Sequence, residues 1–333
     1  MNKNKVWLTC SAIAGLCLCA GGADAKSVYA NSANAININM LTEQMMSYAH
    51  YGENISDFMG TKYGTMTRVD EYGDDGKNTT VKENNKDDFG KLFWGDVKYL
   101  NTGVDYSDNV SGRARIYMET VGVSSKSFDV TEGSISFGAL LGNITNDTFG
   151  FTSNGFTFGV FSRYKYENMD VNAMVNNGSL SKTSDTSEFS DSWVNLAIDA
   201  SLNIHVTDTL YIRPKVYYGY TKVSTESMRF NGNVVPSQGY EFVNFAPSLE
   251  IFTRLDKDLY MSLYGKYVNV GGDVNQAVYA NGVLMDTLSA QKYYELGVKM
   301  EYNYKDYVFT GGINKQITGF DGLSIDLNAK YIF

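Results

Sequence analysis

The chain has 333 residues, enough for one large domain or two ordinary ones, and its 43% hydrophobic content leaves a soluble fold open. Its 25 Tyr, 18 Phe and 32 Gly with only 3 Pro suit long β-strands, which favour aromatics and exclude proline. A mean hydropathy of −0.26 argues against a bundle of membrane helices but fits a barrel whose alternate residues face a wet lumen, and a net charge of −9 disfavours nucleic acid as a partner.

The first 25 residues read as an export leader. Lys3 and Lys5 make a positive start, and Val6 to Ala20 form an apolar core too short to span a bilayer comfortably. Ala23-Asp24-Ala25 is an A-x-A cleavage site, so the mature chain is expected to begin at Lys26, with a second small-residue site ending at Ala30 as the alternative. Cys10, Cys17 and Cys19 all lie in the leader, and none follows the small residue that lipoprotein processing prefers. The mature chain therefore carries no thiol for a disulfide, a metal site or a nucleophile. Losing Lys3, Lys5 and Asp24 moves the net charge to −10, from 26 basic and 36 acidic residues.

Residues 26–39 are small and polar and read as a flexible lead-in. Between Asn39 and Met59, Leu41, Met45, Tyr48, Ile55 and Met59 recur at helical spacing, with Glu43, Gln44, Glu53 and Asp57 polar. Thr42 can cap and Gly60 can stop one helix there.

After Gly60 the period becomes two. On the last strand Leu323, Ile325, Leu327, Ala329, Tyr331 and Phe333 are apolar, against Ser324, Asp326, Asn328 and Lys330. Residues 294–304, 210–220 and 194–204 repeat this alternation. Runs of this length exceed the usual 5–6 residues of a soluble strand and match the 9–11 of a transmembrane one. No continuous apolar run of spanning length follows the leader, so a membrane protein of this sequence has to be a closed barrel. Twelve strands are predicted, at 61–70, 91–100, 111–123, 133–144, 155–167, 189–204, 209–224, 239–254, 258–270, 289–304, 307–317 and 322–333. Short connections near 206–208, 255–257 and 305–306 are expected in the periplasm. Longer polar loops at 71–90, 168–188, 225–238 and 271–288 are expected outside.

Two segments, Leu210-Tyr211-Ile212-Arg213-Pro214-Lys215-Val216-Tyr217-Tyr218-Gly219-Tyr220 and the terminal Leu327-Asn328-Ala329-Lys330-Tyr331-Ile332-Phe333, make the chain resemble the autotransporter translocator domain. The resemblance covers about Lys91 to Phe333. It implies an all-β fold, a transmembrane antiparallel up-and-down barrel of 12 strands with an N-terminal helix in its lumen. It also implies that Tyr331 and Phe333 form a signal for the barrel-assembly machinery. The expected organisation is a leader at 1–25, a lead-in and luminal helix at 26–60 and the barrel at 61–333. Only about a dozen residues separate the cleavage site from the helix, where the family carries a long passenger. The expected protein is thus a monomeric outer-membrane barrel of translocator type in contact with lipid, with a small pore or a loop-presenting adhesion barrel as alternatives.

Catalytic signals are weak. His50 falls in the predicted helix and His205 at a short turn, with no Ser-His-Asp set at a common height. Asp74-Asp75 and Asp87-Asp88 read as a solvated loop, and Gly271-Gly272 and Gly311-Gly312 as relief of crowding. No catalytic residue, cofactor or metal is expected. The site candidates are charges that alternation places inward: Arg113, Arg115, Glu119, Arg163, Lys165, Asp199, Arg213, Lys215, Glu250, Arg254, Lys266, Glu295, Lys299 and Glu301. An Arg or Lys facing lipid near the midplane costs about 2–4 kcal/mol, which favours confining charge to the lumen. Glu43, Glu53 and Asp57 of the helix are expected to pair with this wall.

Overall fold

The computed structural model describes residues 24–47, 92–105, 111–148, 151–183, 188–230, 233–272, 277–280, 283–287, 292–318 and 320–332. One helix, α1 (Asp24–Met45), precedes twelve long strands. These are β1 (Leu92–Asp105), β2 (Ser111–Ser124), β3 (Gly133–Thr148), β4 (Phe151–Tyr166), β5 (Met169–Thr183) and β6 (Glu188–Leu202), then β7 (Leu210–Thr225), β8 (Gln238–Asp256), β9 (Leu259–Gly272), β10 (Lys292–Tyr304), β11 (Tyr307–Ile317) and β12 (Phe320–Ile332).

Each strand pairs antiparallel with the next, and β12 returns to β1 from Leu92↔Ile332 to Val104↔Phe320. The ring is closed, so none of the twelve strands is left with a free edge, as a bilayer demands. Leu92 and Ile332 mark one end. Connections 167–168, 257–258 and 305–306 turn at that end in two residues each, with Glu167 (φ 47°) and Lys305 (φ 54°) in the left-handed conformation a tight hairpin uses. At the opposite, loop end lie the connections holding the small hairpins Met228–Phe230/Asn233–Val235 and Ala277–Ala280/Val283–Thr287.

Faces alternate along the strands. Leu296, Val298 and Met300 point out while Glu295 and Glu301 are buried inside, and the last strand alternates as its sequence suggests. Outward Tyr302, Tyr304, Tyr307 and Tyr331 crowd the turn end, and Tyr218, Tyr267 and Tyr294 lie higher. The inner wall packs tightly. Gly122 sits beneath the Trp94 ring, where a Cβ would fall 2.1 Å from Cζ2, and Gly178 lies likewise beneath Trp193 at 2.2 Å.

Several expectations change. The strand count of twelve holds, but with different members. The segment 61–70 lies outside the described residues, and the ring closes between β12 and β1 with no edge left for it. The segment 168–188, read as an outer loop, contains β5. Its upper half, Asn176-Asn177-Gly178-Ser179, is poor in strand-favouring residues, yet both neighbours supply ladder bonds there. Strands β1 and β3 run on past the predicted ends at 100 and 144 to Asp105 and Thr148, and both finish at the loop end. Asp74 to Asp88 lie outside the described residues, and β1, which follows them, starts at the turn end beside Ile332. Residues 26–39, read as a flexible lead-in, belong to α1, which starts at Asp24 and is followed by a 3-10 turn at 46–47, while residues 48–59 of the predicted helix lie outside the described residues. From Ala35 to Asn39 this lead-in is buried by the lumen, an environment that its sequence does not announce.

Candidate functional site in the barrel lumen

Helix α1 is buried on every side from Ala35 to Met45. A helix apolar all round would suit such burial. This one is mixed because its surroundings are mixed. Ile36, Ile38, Met40, Leu41, Met45 and Met46 join an apolar cluster with Leu100, Ile116, Met118, Leu140 and Ile144 of the inner wall. Asn37, Asn39 and Thr42 meet polar wall positions. Asn37 Nδ2 donates to Thr148 Oγ1 at 2.8 Å, and Asn39 and Asn244 exchange amide hydrogen bonds at 3.0 and 2.9 Å. The Thr42 and Thr221 hydroxyls lie 2.9 Å apart.

One ionic contact holds the described helix. Lys266 Nζ on β9 donates to Glu43 at 2.9 and 3.2 Å and lies 3.2 Å from Glu295 on β10. Tyr264 donates to Glu295 at 2.8 Å, and Tyr293 to Glu43 at 3.3 Å. Lys266 thus bridges one carboxylate of the helix and one of the wall. The predicted pairing of Glu43 with luminal cations is present, while Glu53 and Asp57 lie outside the described residues.

These contacts orient the helix. Asn37 meets Thr148, the loop-end residue of β3, whereas Glu43 and Met45 lie beside Lys266 and Thr157 in the middle of β9 and β4. The N-terminus of α1 therefore points to the loop end, where the Ala277–Ala280 strand touches it.

The other predicted charges mostly occupy the luminal rows. Arg163 and Arg213 converge on Asp170 at 2.9 and 3.8 Å, and Asn203 donates to the same carboxylate at 2.7 Å. Lys215 pairs with Asp199 at 3.2 Å. Glu250, Lys299 and Glu301 line the space under Gln44 and Ser47 with Lys98, Asp326 and Lys330. Lys165 lies on the luminal row of β4 near the turn end, and Arg254 caps the turn-end carbonyls of Asp256 and Lys257.

Arg113, Arg115 and Glu119 depart from expectation and point outward, because the inner row of β2 is Ala114, Ile116, Met118 and Thr120. Alternation set the two faces of β2 apart but not their sides, and the rule that charge goes inside chose the wrong one: the inner wall beside α1 needs apolar partners. Asp170, Lys182 and Asp191 were missed. Lys182 and Asp191, 2.5 Å apart and buried, face each other across β5 and β6, and β5 had been read as loop. His205 sits at the turn end as expected, 4.0 Å from Asp208, and His50 lies outside the described residues. Among the described residues no cluster of acids and histidines of metal-binding size occurs. Gly272 (φ 98°) takes a left-handed conformation, and Gly312 makes room for the Asp326 carboxylate, as crowding relief predicts.

No protein-family model and no curated protein matches the chain by sequence. Solved structures match by shape. The β domain of the Bordetella autotransporter BrkA is 12% identical with a TM-score of 0.58, covering 73% of this chain and 100% of that one. The transport unit of AIDA-I from Escherichia coli is 12% identical with a TM-score of 0.59, covering 84% and 97%. The translocator domain of NalP from Neisseria meningitidis is 11% identical at 0.54, covering 73% and 88%. An outer-membrane channel from Pseudomonas putida F1 reaches 0.51 at 10% identity. With twelve antiparallel strands closed around an N-terminal helix, this chain has the fold of an autotransporter translocator barrel.

Proposed function

We propose that this protein is an outer-membrane translocator-type barrel whose lumen is held shut by its own N-terminal helix. The observation that carries the reading is the Lys266 bridge between Glu43 of α1 and Glu295 of the wall. The orientation of α1 supports it: the helix points its N-terminal end to the loop end. Removal of residues 1–25 as an export leader would take only Asp24 and Ala25 from α1. Tyr331, outward on β12, with Phe333, outside the described residues, would serve recognition by the assembly machinery, and the outward apolar rows would meet lipid. The protein acts as a monomer with no catalytic group or cofactor.

A pore is the second reading. The charges of both signs below Ser47 and the shape likeness to an outer-membrane channel favour it. One experiment separates the two. A variant lacking residues 26–47 should insert into planar bilayers and conduct at least several-fold more than the full chain. Equal and high conductance of both would remove the plug and leave the pore reading.

A further inference from the structure

On β8 and β12 the outward apolar face runs unbroken to near the loop end. On β12 it passes through Leu327, Ile325 and Leu323 before Asp321, and on β8 through Leu249, Pro247, Phe245 and Val243 before Glu241. On β2 and β3 it stops early. Val121 and Leu141 are the last apolar outward residues, and above them come Glu119, Tyr117 and Arg115 on β2, with Asn143, Thr145 and Asp147 on β3.

The depth of this change follows from the register. Glu119 lies on one hydrogen-bonded row with Val97 of β1 and Leu327 of β12. Strands about 4.8 Å apart and tilted about 35–45° shift that row by roughly 3 Å in depth per strand. Glu119 is therefore within about 3 Å of the depth of Val97 and about 6 Å of Leu327, both exposed apolar residues of the lipid face. A carboxylate thus stands where the neighbouring strands present hydrocarbon.

The polar patch continues toward the loop end. Tyr117 donates to Glu119 at 2.8 Å, Thr145 to Asn154 at 2.9 Å, and Arg115 lies 3.7 Å from Asp147 nearer the loop end. A second copy of the chain does not fit the patch. A symmetric pair in one membrane has its axis along the bilayer normal, which sets Glu119 against Glu119 at equal depth. A bilayer fits, since it thins locally at modest cost where a hydrophobic face is short.

We propose that the leaflet on the loop side is drawn down over β2 and β3, bringing lipid headgroups and water to the row of Glu119 and Asn143. The patch is a site of local membrane thinning beside the β1–β12 closure. This rests on the reading that the twelve strands span a bilayer. The test uses the full chain with Cys10, Cys17 and Cys19 changed to Ser, in phosphatidylcholine vesicles containing a lipid with a nitroxide headgroup. One environment-sensitive fluorophore is attached at Val121→Cys or at Leu327→Cys. The Val121→Cys label should be quenched roughly twofold more than the Leu327→Cys label, and adding Glu119→Leu and Asn143→Leu should equalise the two. Equal quenching in the parent chain overturns the proposal. So does disulfide cross-linking between copies at Val121→Cys without quenching, which would make the patch a protein interface. Free access of a water-soluble quencher to Leu327→Cys would instead defeat the spanning reading itself.

Discussion

Lys266 lies between two carboxylates, and the consequences of removing each partner differ. Glu43→Gln leaves Lys266 with Glu295, so the loss is about that of a charged hydrogen bond, roughly 1.5–3 kcal/mol. Lys266→Met leaves Glu43 and Glu295 facing each other with no cation between them, a loss of about 3–5 kcal/mol. Helix release, read as conductance in bilayers and as protease access to α1, should therefore be greater for Lys266→Met than for Glu43→Gln. The reverse order would show that another contact holds the helix. A second residue-scale expectation concerns packing. Gly122→Leu places its Cβ within the Trp94 ring and should destabilise the barrel by about 1–3 kcal/mol. Adding Trp94→Ala should restore part of that loss, measured as the denaturant midpoint of the refolded protein. No restoration would mean that the ring is not what Gly122 accommodates.

At the scale of elements, β5 and α1 mark the limits of periodicity. The lower half of β5 alternates well, with Val171, Ala173 and Val175 against Asp170, Asn172 and Met174, but the upper half is Asn, Gly and Ser. Ladder bonds to β4 and β6 make it a strand there, and such bonds are invisible to a window of neighbouring residues. Val175→Pro distinguishes strand from loop. It removes a ladder donor from a central strand and should abolish heat-resistant barrel in the membrane fraction, whereas Ser227→Pro at the loop end should be tolerated. Normal barrel yield from Val175→Pro would return the segment to a loop. Helix α1 shows the converse. Its apolar residues form no clean stripe, because from Ala35 onward it is surrounded by wall rather than laid on one surface, and Asn37, Asn39 and Thr42 are matched by Thr148, Asn244 and Thr221.

For the whole molecule, closure decides sidedness. Because β1 begins beside Ile332, the turn at 257–258 and the start of β1 share one end, and 226–237 lies at the other. With the C-terminal end in the periplasm, a membrane-impermeant maleimide on intact cells should label Ser237→Cys and leave Lys257→Cys untouched until the membrane is permeabilised. The inverse pattern would place the short turns outside and the upstream end of α1 in the periplasm, against the translocator reading.

The sequence alone determined the class: aromatic-rich alternation over 11 residues or more, ending in a terminal strand of clean dyad pattern, admits a closed barrel and little else. It also determined that Arg213 and Lys215 of β7 share one face, as do Glu295, Lys299 and Glu301 of β10. Which face of β2 is inner, which segment is the twelfth strand and where α1 begins were decided by the tertiary structure. Alternation is symmetric under exchange of sides, so Arg113, Arg115 and Glu119 could be assigned only once Ala114, Ile116 and Met118 were seen against α1. The β1–β12 pairing and the Glu43–Lys266 contact join residues 240 and 223 apart in the chain, a reach that no local pattern encodes.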